Sequence, residues 1–156
     1  MEYQNTITDA ATLEALYGKP GANSLTKEVD ALTPEYRQWI EQSPFMAIAS
    51  VGQGGLDCSP RGDARGQLFR ILDDQTIAIP DRRGNNRLDT LRNLVTDPRI
   101  SLLFLLPGIN ETIRVNGVAQ VVTDTALREV FRINNQAPTT VIICLLYTSP
   151  SPRDRG

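Results

Sequence analysis

Along most of the chain, apolar residues recur at intervals that identify the element they belong to. Leu13, Leu16 and Tyr17 share one side of a helix over 8–17, and Tyr36, Trp39 and Ile40 do the same over 33–43. Thr33 followed by Pro34 gives that second helix an N-cap and a first-turn proline, and the stretch between the two, with Lys19-Pro20-Gly21, reads as a loop. After Ser43-Pro44 the pattern turns to strands. Residues 45–51 read as a buried strand, Gly52-Gln53-Gly54-Gly55 as a turn and 56–60 as the hairpin partner. A second hairpin is signalled by 67–72 and 76–79 around Asp73-Asp74-Gln75.

Residues 100–106 are apolar on both faces, which suits the middle of a sheet or a barrel wall. Residues 111–122 alternate as one long strand, with Gly117 as a bulge or, on the rival reading, Asn116-Gly117 as a turn. Two helices interrupt the strands. One over 87–96 sets Leu88, Leu91, Leu94 and Val95 on one side and ends at Asp97-Pro98. The other, over 124–133, is capped by Asp124 and buries Leu127, Val130 and Phe131. Strands dominate and short turns join them, which predicts a mainly β or α+β chain: a small antiparallel barrel or sandwich with peripheral helices and no internal repeat.

The organisation expected is an N-terminal helical arm over 1–32, one barrel domain over 33–143 and a tail over 144–156. The tail joins an apolar start to a Ser/Pro/Arg stretch with no period and resembles a translated sequencing adapter, so the natural sequence is expected to stop near Ile143. A length of 156 residues suits one such core. A balance of 16 Lys+Arg against 18 Asp+Glu disfavours a dedicated nucleic-acid binder.

Histidine is absent, which removes Ser-His-Asp and Cys-His nucleophiles, imidazole bases and His metal sites. Cys58 and Cys144 form no CxxC pair, so no metal site or redox dithiol is expected. The N-terminus has no signal-peptide pattern and the longest apolar run, 102–106, is too short to cross a bilayer, so the expectation is a cytoplasmic chain without a membrane partner.

The cations are unevenly placed. The only lysines are Lys19 and Lys27, while eight arginines fall between Arg61 and Arg99. Arginine's planar fork suits a bidentate oxyanion such as phosphate. The densest stretch is Pro80-Asp81-Arg82-Arg83-Gly84-Asn85-Asn86-Arg87, where a strand ends, a glycine allows close approach and a helix begins. Free amides and the dipole at that helix start favour an anion, with Arg82, Arg83 and Arg87 converging on it and Asn85 and Asn86 as neutral donors. The competing reading is a solvated basic turn in which asparagine caps the helix. Upstream, Ser59 and Arg61 of Asp57-Cys58-Ser59-Pro60-Arg61-Gly62-Asp63 could face the same anion, or Asp57 and Asp63 could pair with the arginines in a structural ion network. Neither a Rossmann nor a P-loop motif is present.

Taken in order with Phe45–Val51, Asp97-Pro98-Arg99-Ile100-Ser101-Leu102-Leu103-Phe104 and Glu111-Thr112-Ile113-Arg114-Val115-Asn116-Gly117, these segments resemble the pyridoxamine 5'-phosphate oxidase-related family, in its branch of FMN-dependent enzymes, over about residues 33–143. The resemblance implies an antiparallel split β-barrel, a homodimer with FMN in a cleft between subunits, and a chain that continues for further strands. It implies a flavin phosphate held by Arg83, Asn85, Asn86 and Arg87, with Pro80-Asp81 along the ribityl chain or ring and Arg61 as a basic position on the neighbouring strand. Asn86 stands where the vitamin-forming oxidase has arginine, and that enzyme's C-terminal Arg/His motif is missing, which argues against pyridoxamine phosphate as substrate. An FMN-dependent oxidoreductase acting on a small molecule is therefore expected, with the ring carrying the electrons and no side chain assigned a catalytic role. The alternative is a non-catalytic flavin, deazaflavin or haem carrier or sensor.

Overall fold

The computed structural model describes residues 3–18, 28–29 (backbone), 31–82, 88–110 and 112–147. In chain order these form α1 (Ala10–Tyr17), β1 (Glu28–Val29), α2 (Pro34–Glu41), β2 (Phe45–Gly52), β3 (Gly55–Gly62), β4 (Arg70–Asp73), β5 (Thr76–Asp81), α3 (Asp89–Thr96), β6 (Arg99–Leu105), β7 (Thr112–Val122), α4 (Thr125–Val130) and β8 (Thr140–Leu146). Seven strands make one antiparallel sheet in the order β3-β2-β6-β7-β8-β5-β4, and the short β1 joins β7 in parallel.

Local chemistry sets the helix ends. Thr33 accepts from the Tyr36 amide and Pro34 follows it, as the sequence predicts, and Asp124 caps α4 through the Leu127 amide. Alternation along the strands then sends one set of side chains inward. Met46, Ile48, Ile79, Leu102, Phe104 and Ile142 are almost fully buried in one core, closed over by Ile40 of α2 and Leu94 of α3. A second, smaller cluster lies on the far side of β5 and β8, where Ala78 and Val141 pack against Phe131 at the end of α4. The α+β class expected from the pattern and the split barrel implied by the resemblance are what the chain adopts.

The structure differs from the pattern at several points. Gly117 is neither bulge nor turn. The register with β6 runs unbroken from Arg99↔Val118 to Leu105↔Thr112, and a Cβ at Gly117 would collide with the Leu145 carbonyl oxygen. The one register shift in the second hairpin lies between Ile71 and Asp73 instead. Residues 67–69 precede β4 rather than belonging to it, although Leu68 and Phe69 are buried. In α3 only Leu94 of the expected stripe is buried, while Leu88 and Val95 are exposed; in α4 the exposed residue is Val130. Leu88 precedes α3 as its N-cap, while Val95 and Val130 lie within their helices on the side turned away from the sheet. β8 runs to Leu146, three residues past the expected domain boundary, with Cys144 and Leu146 buried in the core. The loop expected over 18–26 lies, beyond Gly18, outside the described residues.

Candidate functional site

The sheet does not close on itself: β3 and β4 are its two ends. Interior-facing residues of β2 and β3 pair as Met46↔Arg61, Ile48↔Ser59 and Ser50↔Asp57, so β3 presents a polar row to the side on which β2 is apolar. Two ion pairs span the opening. Arg61 on β3 donates from Nη1 to Asp81 Oδ1 on β5 at 3.0 Å, and Arg82, just past β5, donates from Nε to Asp63 Oδ2, just past β3, at 3.1 Å. The pairs are crossed, each strand end giving one arginine and one aspartate, and all four side chains are half-buried. That placement makes them worth more than exposed pairs while leaving water close by.

Arg82 is committed further. Its Nη1 donates to the Phe131 carbonyl at 2.8 Å and its Nη2 to the Gln67 carbonyl at 3.2 Å, so it ties the end of β5 to α4 and to the segment before β4. On the other side of the bend, α3 is fixed by side chains. Ser59 Oγ and Thr90 Oγ1 are 3.1 Å apart in a hydrogen bond, and Asn93 Nδ2 donates to Ser50 Oγ at 3.0 Å. Both ends of the connection over 83–87 are thus pinned to β2 and β3: Arg82 through Asp63, and the first turn of α3 through Ser59. The helix is not capped by an asparagine, because its N-cap is Leu88, with no side-chain cap bond.

Of the residues singled out from sequence, Ser59, Arg61 and Asp81 lie on the interior side, where Arg61 meets Asp81 and Ser59 bonds Thr90, with Arg82 at the rim. Pro80 faces away, since its cross-strand partner Val141 belongs to the cluster under α4. Pro80 lies past the reach of β4, whose pairing ends at Ala78, so its missing amide proton costs no bond on that edge. Arg83, Asn85, Asn86 and Arg87 lie outside the described residues. Of the structural ion network weighed above, the Asp63 pairing is present, whereas Asp57 makes no ion pair among the described residues and Asp81 takes the second arginine instead. Thr90, Asn93, Gln67 and Thr140 were not singled out. Thr140 sits directly across from Asp81, and its Oγ1 is the one buried side-chain oxygen or nitrogen among the described residues without a hydrogen-bond partner. A buried hydroxyl left alone costs about 1–3 kcal/mol. No periodicity marks Thr140, because its significance comes only from register with Asp81.

Described residues hold no group of three or more His, Cys, Asp or Glu able to bind a metal, and no helix among them is long and apolar enough to cross a membrane. Fold and site together define a split-barrel protein with a polar, charge-matched mouth. The chain belongs to the pyridoxamine 5'-phosphate oxidase family, whose model matches residues 32–155. No curated protein sequence matches it. Among solved structures it is similar to HupZ from Group A Streptococcus (19% identity, 74% of this chain and 89% of that one, TM-score 0.58). It is also similar to a protein related to general stress protein 26, of the pyridoxinephosphate oxidase family, from Clostridium acetobutylicum (14% identity, 72% and 81%, TM-score 0.53). An F420 reductase matches at 17% identity over 76% of this chain and 97% of that one, TM-score 0.53. At these identities the likeness is one of fold. The family binds flavins generally.

Proposed function

We propose that the chain is an FMN-dependent oxidoreductase of this family, acting as a homodimer on a small molecule in a reducing cytoplasm, where its two free thiols would persist. The observation that carries the reading is the division of charge at the mouth. Arg61 and Arg82 are each matched by an aspartate, which suits the uncharged ribityl chain and ring of a flavin mononucleotide. The next five residues, Arg83-Gly84-Asn85-Asn86-Arg87, hold two cations and no carboxylate. That composition suits the phosphate. Thr140 adds an unpartnered hydroxyl beside Asp81 for a ligand oxygen or ring nitrogen.

In this reading Arg83, Asn85, Asn86 and Arg87 hold the phosphate, Arg61 and Asp81 orient the middle of the cofactor, and Arg82, Ser59 and Thr90 keep the two ends of the bend in place. A bound flavin would supply two-electron chemistry that no side chain here can supply. The test is direct. Protein purified with added FMN is expected to be yellow, with near-stoichiometric flavin, and Arg83→Ala with Arg87→Ala is expected to lose FMN while affecting riboflavin binding little. Full FMN occupancy in that double variant overturns the phosphate assignment. A colourless protein whose Tm is indifferent to FMN overturns the whole reading. A second reading, a deazaflavin carrier or enzyme, has the likeness to the F420 reductase in its favour. It predicts that the deazaflavin raises Tm where FMN does not.

A further inference from the structure

Hydrogen-bonding capacity at the mouth is unevenly used. Arg82 donates to three acceptors, Asp63 and the Phe131 and Gln67 carbonyls, and Ser59 and Thr90 bond each other. Arg61 and Asp81, by contrast, share a single bond, Nη1 to Oδ1 at 3.0 Å, and neither side chain has another partner among the described residues. A guanidinium offers five N–H donors and a carboxylate about four acceptor positions, so most of what this pair can offer is unused. Beside them the buried Thr140 hydroxyl has no partner at all.

The fold aims these three groups the same way. Arg61 lies across from Met46, Asp81 follows Ile79 by two residues and Thr140 precedes Ile142 by two, and those three apolar residues belong to the main core. Alternation along each strand therefore sets Arg61, Asp81 and Thr140 on the core side of the sheet, at its rim. Their order is Arg61 on β3, then Asp81 across the opening on β5, then Thr140 on β8. Arg128 Nε donates to the Pro138 carbonyl at 2.8 Å, which holds the chain just before Thr140 in place. The Arg61 and Asp81 side chains are 22% and 19% exposed, so a ligand can reach them, and only one bond has to part for it to pass between them to the hydroxyl.

We propose that Arg61, Asp81 and Thr140 form a subsite for a planar imide edge, two carbonyls flanking one N–H, that enters between Arg61 and Asp81. One carbonyl accepts from Arg61, the N–H donates to Asp81, and the second carbonyl accepts from the Thr140 hydroxyl. The protein's order of donor, acceptor and donor is the complement of that edge, and each partner of the parted ion pair gains a new bond. A carboxylate or phosphate brings no hydrogen for Asp81 and sets its own charge against it, so the subsite selects a neutral edge over an anion. A flavin or deazaflavin ring carries such an edge and haem does not; a free uracil-type substrate carries it too. The inference rests on the flavin reading only for the source of the edge, since the chemistry recognised is the same in both cases.

The test is a set of Kd values for the full chain, from fluorescence titration for flavins and calorimetry for uracil. Riboflavin, which has no phosphate, is compared with riboflavin methylated on the imide nitrogen, and uracil with uracil methylated on the same nitrogen, without and with FMN. Methylation is expected to weaken binding at least about tenfold, because it removes the hydrogen that Asp81 accepts. Thr140→Val is expected to weaken binding of the unmethylated compound about three- to tenfold, with the Tm of the ligand-free protein unchanged or raised, and Thr140→Ser to restore it. Discrimination among the flavins assigns the edge to the cofactor ring, and discrimination by uracil alone, with FMN bound, assigns it to a substrate. Flavin and uracil that are both indifferent to methylation and to Thr140→Val overturn the subsite while leaving the flavin reading in place. A lower Tm for ligand-free Thr140→Val overturns it too, since the hydroxyl would then have a structural partner. A chain that binds no flavin overturns the flavin reading and leaves uracil to decide the subsite, which falls if uracil fails to bind as well.

Discussion

The two parts of the sheet are built from similar strands but are finished differently. Around β5 and β8 both faces are covered: Ile79 and Ile142 point into the main core, while Ala78 and Val141 meet Phe131 behind them. Around β3, β2, β6 and β7 the described residues cover only one face, and Ala47, Ala49, Leu103 and Leu105 look outward with no described helix over them. β7 belongs to both parts, pairing with β6 over its first seven residues and with β8 from Gly117 to Val122. Gly117 marks the crossing, and its lack of a side chain lets β8 come close enough to begin its pairing there. A doubly covered region stabilises a fold by itself, whereas a singly covered one leaves surface for association.

The sharpest way to break this contrast is truncation on each side of it. Ile142→Ala in the doubly covered part is expected to cost about 3–4 kcal/mol in urea unfolding, and Leu103→Ala on the open face about 1 kcal/mol or less. Equal losses would show that the open face is packed in the monomer after all. At the crossing, Gly117→Ala sets a methyl group against the Leu145 carbonyl and is expected to cost about 3 kcal/mol, although alanine is otherwise harmless in a strand. A neutral result there would mean that β8 shifts freely against β7.

Smaller effects belong to the crossed ion pairs. Arg61→Gln and Asp81→Asn are each expected to cost about 1–2 kcal/mol by leaving a half-buried partner, and the double variant less than the sum. Strict additivity would dissolve the pair as an energetic unit. The cysteines separate the regions chemically. Cys58, on the open face, should alkylate in the folded protein, whereas Cys144, whose thiol burial pushes up to about 12, should react only after unfolding. Because the unfolded thiol ionises near 9.0 and the folded one does not, that contribution to stability is whole below pH 9 and declines as pH rises toward about 12. Smallest of all is Asp97, held down to about 2 by the Arg99 guanidinium and amide. Its contribution is present above the unfolded value of 3.8 and is lost as pH falls toward 2, so Asp97→Asn should slightly flatten the acid limb of the stability curve.

Much of this could be read without coordinates. The hairpin of β2 and β3, the central position of β6, the caps Thr33 and Asp124 and an antiparallel barrel or sandwich follow from local periodicity and turn chemistry, which act over a few residues, while the split barrel itself is implied by the family resemblance. The crowding of arginine and asparagine at 82–87 is likewise a fact of composition, and it pointed to the end of the barrel where the ion pairs lie. Local pattern could not say which side chains meet across the opening. Arg61 and Arg82 look like equivalent ligands for an anion until the fold brings Asp81 and Asp63 to them.

What the sequence by itself determined is therefore the set of elements and the chemistry on offer, since hydrophobic period, capping and charge are properties of neighbouring residues. Only the tertiary structure decided that Pro80 turns away from Asp81's side, that Gly117 is a contact point rather than a bulge, and that Thr140 lies beside the paired charges. Those outcomes depend on strand register between segments as far as about sixty residues apart, and register is settled when whole faces are buried together.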